Sequence, residues 1–219
     1  MEFQNRKKYF LGLSLAPNSN YDSGVAVLDE NLDVVYLDKL YSDEDIVAVY
    51  GNRHYDDAVL ELHDIMTEQG FRTVSAGAFI AQHSIFPKVG AGRPDSADKA
   101  DIERFTKRTA RLLIIGFGDI ELPGNRPYKA PGGIPIFPTA SKKCTACGAC
   151  ARLCPTGAID PVAPKGVDKT KCIKCGRCIV VCPINARRFY GIKYSLAAAR
   201  FNSAFAARRS NEMWFAVEK

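Results

Sequence analysis

The chain has 219 residues, of which 47% are hydrophobic, and a formal net charge of +6 at pH 7. This composition is typical of a globular protein with one large or two small domains. No apolar run approaches the length of a membrane-spanning helix. The modest positive charge suits an acidic redox partner as well as a nucleic acid, so charge alone does not choose between these partners.

The first 45 residues predict a short antiparallel β-meander. Turn residues separate three apolar runs, at 9–16, 23–28 and 34–40. The first run follows Arg6–Lys8 and bears a faint likeness to a signal peptide, but its apolar part is short, and we favour a buried strand. The segment resembles the opening of an RNase H-like fold, whose first strand carries a metal-binding aspartate. Ser14 stands at that position, so we expect a structural role and no nuclease activity.

Residues 46–115 alternate strand patterns with helix patterns. Apolar runs at 45–50 and 71–80 predict strands, and apolar positions at helical spacing predict helices from Asp56 to Gln69 and from Asp95 to Ile115. This order predicts parallel strands joined by right-handed crossovers. So small a sheet leaves an open edge, which makes a homodimer an expectation.

The same region resembles the second half of the flavodoxin-like domain in the flavodoxin–ferredoxin fusion family. The resemblance rests on VYGNRHYDDAVLEL, AFIAQHSI and AGRPD, and it continues into the cysteine-rich part and the tail. It implies a partial flavodoxin-like parallel sheet, and it places FMN beside the loop after the first of these strands. The residues implied to bind FMN are Tyr50, Gly51, Asn52, Arg53 and Tyr55.

The sequence departs from that family where the FMN phosphate would bind. A flavodoxin-like domain binds the phosphate in a Ser/Thr/Gly-rich loop between its first strand and first helix, and this chain has no such loop. A flavin-dependent oxidoreductase is therefore kept as the alternative function. His83 is interpreted as a loop residue, and Arg93 is expected to pair with Asp95 at the start of the second helix.

A Gly- and Pro-rich linker at 116–140 leads to the feature on which the functional prediction depends. Within 141–186, the pattern C-x2-C-x2-C-x3-C-P occurs twice and uses all eight cysteines of the chain. Cysteines at this spacing can wrap a cube of iron and sulfide, each thiolate binding a different iron. Zinc sites use two close pairs separated by a longer span, and disulfides between cysteines this close would be strained.

The two runs resemble those of bacterial-type two-cluster ferredoxins, as do CPTGAID and the glycines at 148 and 176. The resemblance implies a crossed assignment of ligands to two [4Fe–4S] clusters. One cluster would be held by Cys144, Cys147, Cys150 and Cys182, and the other by Cys172, Cys175, Cys178 and Cys154. Cysteines kept reduced on iron predict a cytoplasmic protein.

The tail, 187–219, predicts a helix with a basic outer face. Interleaved aromatic residues leave a nucleic-acid-binding function as a third hypothesis, although no binding motif accompanies them. The fold class predicted for the whole chain is α/β plus α+β, in which a ferredoxin domain follows the partial flavodoxin-like sheet along the sequence. The function predicted first is one-electron transfer between redox partners with acidic docking faces, with no membrane span.

Overall fold

The computed structural model describes residues 9–10, 26–28, 34–37, 43–130, 132 and 135–219. Within these ranges the chain forms eight strands and five helices. In chain order they are β1 (Tyr9–Phe10), β2 (Ala26–Leu28), β3 (Val34–Leu37), β4 (Asp43–Tyr50), α1 (Ala58–Glu68), β5 (Arg72–Ile80), α2 (Ser96–Ile115), β6 (Thr139–Ala140), α3 (Ala149–Arg152), α4 (Arg177–Val180), β7 (Arg187–Arg188), α5 (Ile192–Ala204) and β8 (Glu212–Phe215).

The first three strands form a sheet of their own in the order β1-β2-β3. Both pairings are antiparallel, with Tyr9 opposite Leu28 and Ala26 opposite Leu37. These pairings agree with the predicted meander, although each described strand is shorter than the run that predicted it. Ser14 and the turns between the strands lie outside the described residues.

The second sheet has the order β4-β5-β8. β4 runs parallel to β5, with Tyr50 opposite Ile80, as the sequence predicted. β8 pairs antiparallel with the other edge of β5, where Trp214 lies opposite Ala76. The antiparallel β8 therefore departs from the partial flavodoxin-like parallel sheet that the resemblance implied. The segment that forms β8 lies in the tail, where only a helix was predicted.

The two long helices begin and end where local chemistry favours it. Gly70 follows α1 with a φ of +86°, a left-handed conformation that glycine adopts without steric cost. At the start of α2, the carboxylate of Asp95 accepts hydrogen bonds from the backbone N–H groups of Ala97 and Asp98, at 3.0 and 3.1 Å. The carboxylate of Asp98 in turn accepts the N–H of Asp95 at 2.9 Å, which completes a capping box.

The helices cover opposite faces of β5, because successive side chains of a strand point to opposite sides of the sheet. Ala76 packs in one cluster with Val59 of α1. Ser75 points the other way, and its hydroxyl lies 2.6 Å from that of Thr109 in α2. This two-sided cover explains why β5 is buried along almost its whole length.

β4 has a different environment from β5. Among the described residues its only neighbour in the sheet is β5. Val49 is 68% exposed on the face that α1 leaves uncovered. The homodimer expected from an open edge stays a prediction.

The segment predicted as a linker lies against the body of the sheet. Phe117 is buried with Val74 and Leu112. Further along, the carboxylate of Asp57 accepts the backbone N–H groups of Asn125 and Lys129 at 2.9 and 2.7 Å. The end of the segment, β6, pairs antiparallel with β7 and so joins it to the cysteine-rich part.

Among the described residues, none of the helices combines the length and the apolar character that crossing a bilayer requires.

Candidate metal centre

The two cysteine runs fold into loops of the same backbone conformation. Gly148 and Gly176 have φ of +74° and +77°, and each precedes a single turn of helix, α3 or α4. Two residues earlier, Ala146 and Lys174 have φ of +58° and +60°. Left-handed backbone in the same places curls each loop in the same way, so that its three close cysteines face a common space.

Each loop borders a cavity, and each cavity draws its fourth cysteine from the other run. One cavity, open to solvent, is lined by Cys172, Cys175, Cys178 and Cys154. A second open cavity is lined by Cys144, Cys147, Cys150 and Cys182. The structure thus brings together the same two sets of four that the sequence predicted. The four thiols surround a space instead of meeting at a point, and no group of three or more metal-binding side chains among the described residues is arranged to hold a single ion.

Backbone N–H groups point at the last cysteine of each run. Ala158 donates to Cys154 Sγ at 3.3 Å, and Ala186 donates to Cys182 Sγ at 3.1 Å. Burial raises the pKa of each of these two thiols, but the N–H donors around them outweigh burial, so that each pKa is lowered. Donors that favour the thiolate are what a metal-binding sulfur requires.

The middle of this region is apolar and closely packed. Cys150 and Cys178 are each 8% exposed and share a cluster with Ile159. Burial raises the pKa of Cys178, and the Arg187 guanidinium opposes this effect. By contrast, Cys147 and Cys175 lie at the surface. Each cavity therefore has one thiol directed to the interior and one near solvent.

Arg187 is a residue of this site that sequence reasoning missed. It is 2% exposed, and its guanidinium lies 3.8 Å from Cys150 Sγ. It also donates to the carbonyl oxygens of Pro138 and Gly166, at 3.3 and 3.2 Å, and to that of Pro164. The sequence analysis had placed this arginine on the basic outer face of the tail. Its position four residues after Pro183, at the end of the second Cys-Pro run, was the only available signal.

The loop that the flavodoxin resemblance assigns to FMN is partly buried. Asn52 is 2% exposed, and its amide donates to the carbonyl oxygens of Phe205 and Ala207 at 3.1 and 2.8 Å. A Cβ at Gly51 would lie 2.7 Å from the ring of His83. The predicted residues Tyr50 to Arg53 and Tyr55 are thus neighbours in space, as expected from their order in the chain.

The remaining members of that loop also contact the chain itself. The Tyr55 ring lies in edge contact with Tyr50 and Trp214, and its hydroxyl donates to Glu212 at 3.1 Å. Burial, with the nearby Glu212, raises the pKa of Tyr55. Arg53 forms an ion pair with Asp56. The buried amide of Asn52 and the ring and hydroxyl of Tyr55 are thus occupied by the chain's own tail, and FMN binding at this loop stays a prediction.

A buried ion pair lies beneath this loop. Arg93 donates to Asp98, with Nε 2.9 Å from one carboxylate oxygen, and to the carbonyl oxygen of Arg209 at 2.8 Å. The hydrogen bonds from Arg93 hold the pKa of the Asp98 carboxyl well below its usual range, although burial alone would raise it. The expectation that Arg93 pairs with Asp95 was wrong, since Asp95 pairs with Arg208 at 2.6 Å. The amide of Asn211 completes the network by donating to Asp98 at 3.0 Å.

Comparison with known protein families matches residues 143–186 to the 4Fe-4S dicluster domain. Neither the curated proteins nor the solved structures contain a match to the chain. The matched segment covers both cysteine runs and ends one residue before Arg187. It supports a ferredoxin-type iron–sulfur domain in this part of the chain, and with it a role in iron–sulfur electron transfer between redox partners.

Proposed function

We propose that this protein is a one-electron carrier that holds two [4Fe–4S] clusters, one in each cavity. The observation that carries the proposal is the composition of the cavity walls. Each cavity combines three cysteines of one run with the last cysteine of the other. This exchange of the fourth ligand is characteristic of two-cluster ferredoxins, and neither a zinc site nor a disulfide framework needs it.

The chain supplies ligands, hydrogen bonds and charge. When bound, the clusters supply reversible uptake of single electrons. The N–H groups of Ala158 and Ala186 donate to the ligand sulfurs of Cys154 and Cys182, and such bonds help to set the reduction potential. In the transfer itself a donor protein loses one electron and an acceptor gains one. No covalent bond changes, so no side chain needs to act as acid, base or nucleophile.

The charge distribution supports an acidic partner. Residues 141–200 contain twelve Lys and Arg against two Asp and no Glu, whereas the rest of the chain carries slightly more acidic than basic residues. Lys142, Lys143 and Arg152 are exposed around the first cysteine loop. Among the described residues none of these three forms an ion pair, so their charge is directed to solvent. Such a surface attracts an acidic docking face and speeds its association.

The first experiment is to measure iron and acid-labile sulfide in protein prepared without oxygen. Two clusters require about eight iron atoms and eight sulfides per chain. Zinc in place of iron, or iron well below this content after reconstitution, would contradict the proposal.

The crossed ligand sets are tested by single Cys→Ser variants, compared by low-temperature EPR of the reduced protein. We expect the spectrum of Cys182→Ser to match that of Cys144→Ser, because both lose a ligand of the same cluster. Cys154→Ser should match Cys172→Ser for the same reason. If Cys182→Ser instead matched Cys172→Ser, each run would hold its own cluster and the crossed assignment would be wrong.

A further inference from the structure

Arg187 is a buried cation without a buried anion to pair with. Among the described residues no carboxylate lies within ion-pair distance of its guanidinium, whose partners are three carbonyl oxygens and Cys150 Sγ. Its Nε has no hydrogen-bond partner in the described part of the chain. An ionised side chain that is buried and unpaired is strongly destabilising, so native proteins normally provide a counter-charge.

The two cavities provide that counter-charge if they hold the groups proposed above, and the inference rests on that proposal. A cube ligated by four thiolates is an anion, and it becomes more negative when it takes up an electron. Arg187 contacts Cys150, which lines one cavity, and acts electrostatically on Cys178, which lines the other. The guanidinium therefore lies between the two candidate ligand sets.

The two cysteine runs form an internal repeat, and a comparison of equivalent positions shows that the fold does not require a charge at this place. Arg187 is the fifth residue after the last cysteine of its run. The equivalent position after the first run is Ile159, which is 3% exposed and packs with Cys150 and Cys178. An apolar side chain thus serves the structural role in one half. Arg187, at the equivalent position after the second run, adds a charge that packing alone does not explain.

We propose that Arg187 sets the reduction potential of this electron carrier: its buried guanidinium, placed between Cys150 and Cys178, stabilises the reduced state and raises the potential. Removing the charge should disfavour the reduced state by at least tenfold, which for a one-electron couple is a shift of at least about 59 mV toward lower potential. The effect should be largest for the cluster bound by Cys150, whose sulfur the guanidinium contacts.

The test is an anaerobic redox titration, followed by EPR, of the wild-type protein and of Arg187→Gln, Arg187→Ile and Arg187→Lys. The two neutral variants should show the lower potential, and the lysine variant should keep most of the wild-type value. Arg188→Gln is the matched control, because the next residue is an exposed arginine that lies over the ring of Tyr190. It should leave the potential nearly unchanged.

A second readout uses the metal-free protein. Without an anion in the cavities, Arg187 is an uncompensated buried charge. Arg187→Ile should therefore raise the unfolding midpoint of the metal-free form while lowering that of the loaded form. This reversal of sign would not arise if Arg187 acted only through packing. The unfolding midpoint of the metal-free protein also tests the proposal if a neutral variant assembles too little cluster for a redox titration.

The possible failures are distinguishable. If the wild-type protein binds no iron–sulfur cluster, the proposed function is wrong, and this inference, which rests on it, is wrong as well. If the wild-type protein is fully loaded but Arg187→Gln and Arg187→Ile keep its potential, the inference alone is overturned. A neutral variant that destabilises the metal-free and the loaded form equally would also overturn it.

Discussion

The second cysteine loop lies directly against the loop that follows β5: a Cβ at Gly176 would be 3.4 Å from the carbonyl oxygen of Ser84. The equivalent position in the first loop, Gly148, has a different environment. A Cβ there would meet only the guanidinium of Arg152 among the described residues. The two similar loops thus differ in their surroundings, one facing the sheet domain and the other facing solvent and positive charge.

This difference predicts that an acidic partner docks at the first loop. Reversing two charges there, with Lys142→Glu and Lys143→Glu together, should slow electron transfer with an acidic redox protein by about tenfold at low ionic strength. The loss should shrink as salt is added, because added ions screen exposed charges. Stopped-flow measurement of the second-order rate constant at several salt concentrations checks this expectation.

The control for that pair is Lys99→Glu with Lys107→Glu, which makes the same change in net charge on the exposed side of α2. It should slow the reaction far less. Equal effects of the two pairs would mean that only the net charge of the protein matters, and would contradict a docking face at the first loop.

A second prediction concerns the end of β4. In Gly51→Ala the new methyl group would lie 2.8 Å from the Cα of His83, too close for a real contact. Because that atom belongs to the backbone, the loop after β5 must move, and we expect a loss of about 1–3 kcal/mol of stability. Thermal unfolding under argon measures the loss. Gly166→Ala is the control, since a Cβ there meets nothing within 4 Å, and its midpoint should stay near the wild-type value.

A third prediction tests the bond between the sheet and the tail. Asn52→Ala removes the amide that donates to Phe205 and Ala207, leaving two carbonyl oxygens without that donor, at a cost of about 1–3 kcal/mol. Because Asn52 has a φ of +59°, alanine adds backbone strain of roughly 1–2 kcal/mol that glycine avoids. Asn52→Gly removes the same amide without that strain, so hydrogen exchange of the β8 amides should accelerate in Asn52→Gly and accelerate more in Asn52→Ala.

The exchange experiment has a clear contrary result. If the β8 amides exchanged at the wild-type rate in both variants, the side chain of Asn52 would not be holding the tail on the sheet.

A fourth prediction is a pH dependence of stability that originates in β4. Burial, with the neighbouring Asp45 and Asp43, raises the pKa of Glu44 from 4.5 to about 7. The folded state therefore binds more protons than the unfolded state between these values. The contribution of Glu44 to stability is fully present below pH 4.5, falls as the pH rises through this window and is lost above pH 7.

Glu44→Gln should flatten this part of the stability profile. Since Glu44 is only half-buried, solvent screening reduces the effect to on the order of 1 kcal/mol between pH 5 and 7. Urea unfolding midpoints at several pH values measure it. Glu103→Gln serves as the control, because a hydrogen bond and ion pair with Lys107 lower the pKa of Glu103 instead of raising it. A slope unchanged in Glu44→Gln would show that another group causes the pH dependence.

Local patterns predicted most of the elements because each leaves a short-range signal. The helix that begins after Asp95 has its cap and its apolar period in one stretch, and the parallel pairing of β4 with β5 follows from the helix between them. The three close cysteines of each run were likewise recognisable from their spacing, which suits a small cube, whereas the exchange of the fourth ligand was implied by the resemblance to two-cluster ferredoxins and stays a prediction.

Features that depend on distant parts of the chain were not predicted. EMWF in β8 is only four residues long, and its role depends on β5, more than a hundred residues earlier. The burial of Arg187 depends on three carbonyl groups from two separate segments of the chain, and nothing in RRFYG distinguishes a buried arginine from a surface one. In the same way, no local pattern shows that the tail occupies the space beside Asn52.

β8 also has a consequence for how the molecule can be divided. Because it pairs with β5 across the intervening cysteine-rich part, that part is an insertion anchored at both ends and not an appended module. A cut within residues 116–140 would not release two independent units, since the upstream fragment would lack a strand of its own sheet. During synthesis, β8 leaves the ribosome after both cysteine runs, so completion of the sheet and loading of iron can occur in the same interval.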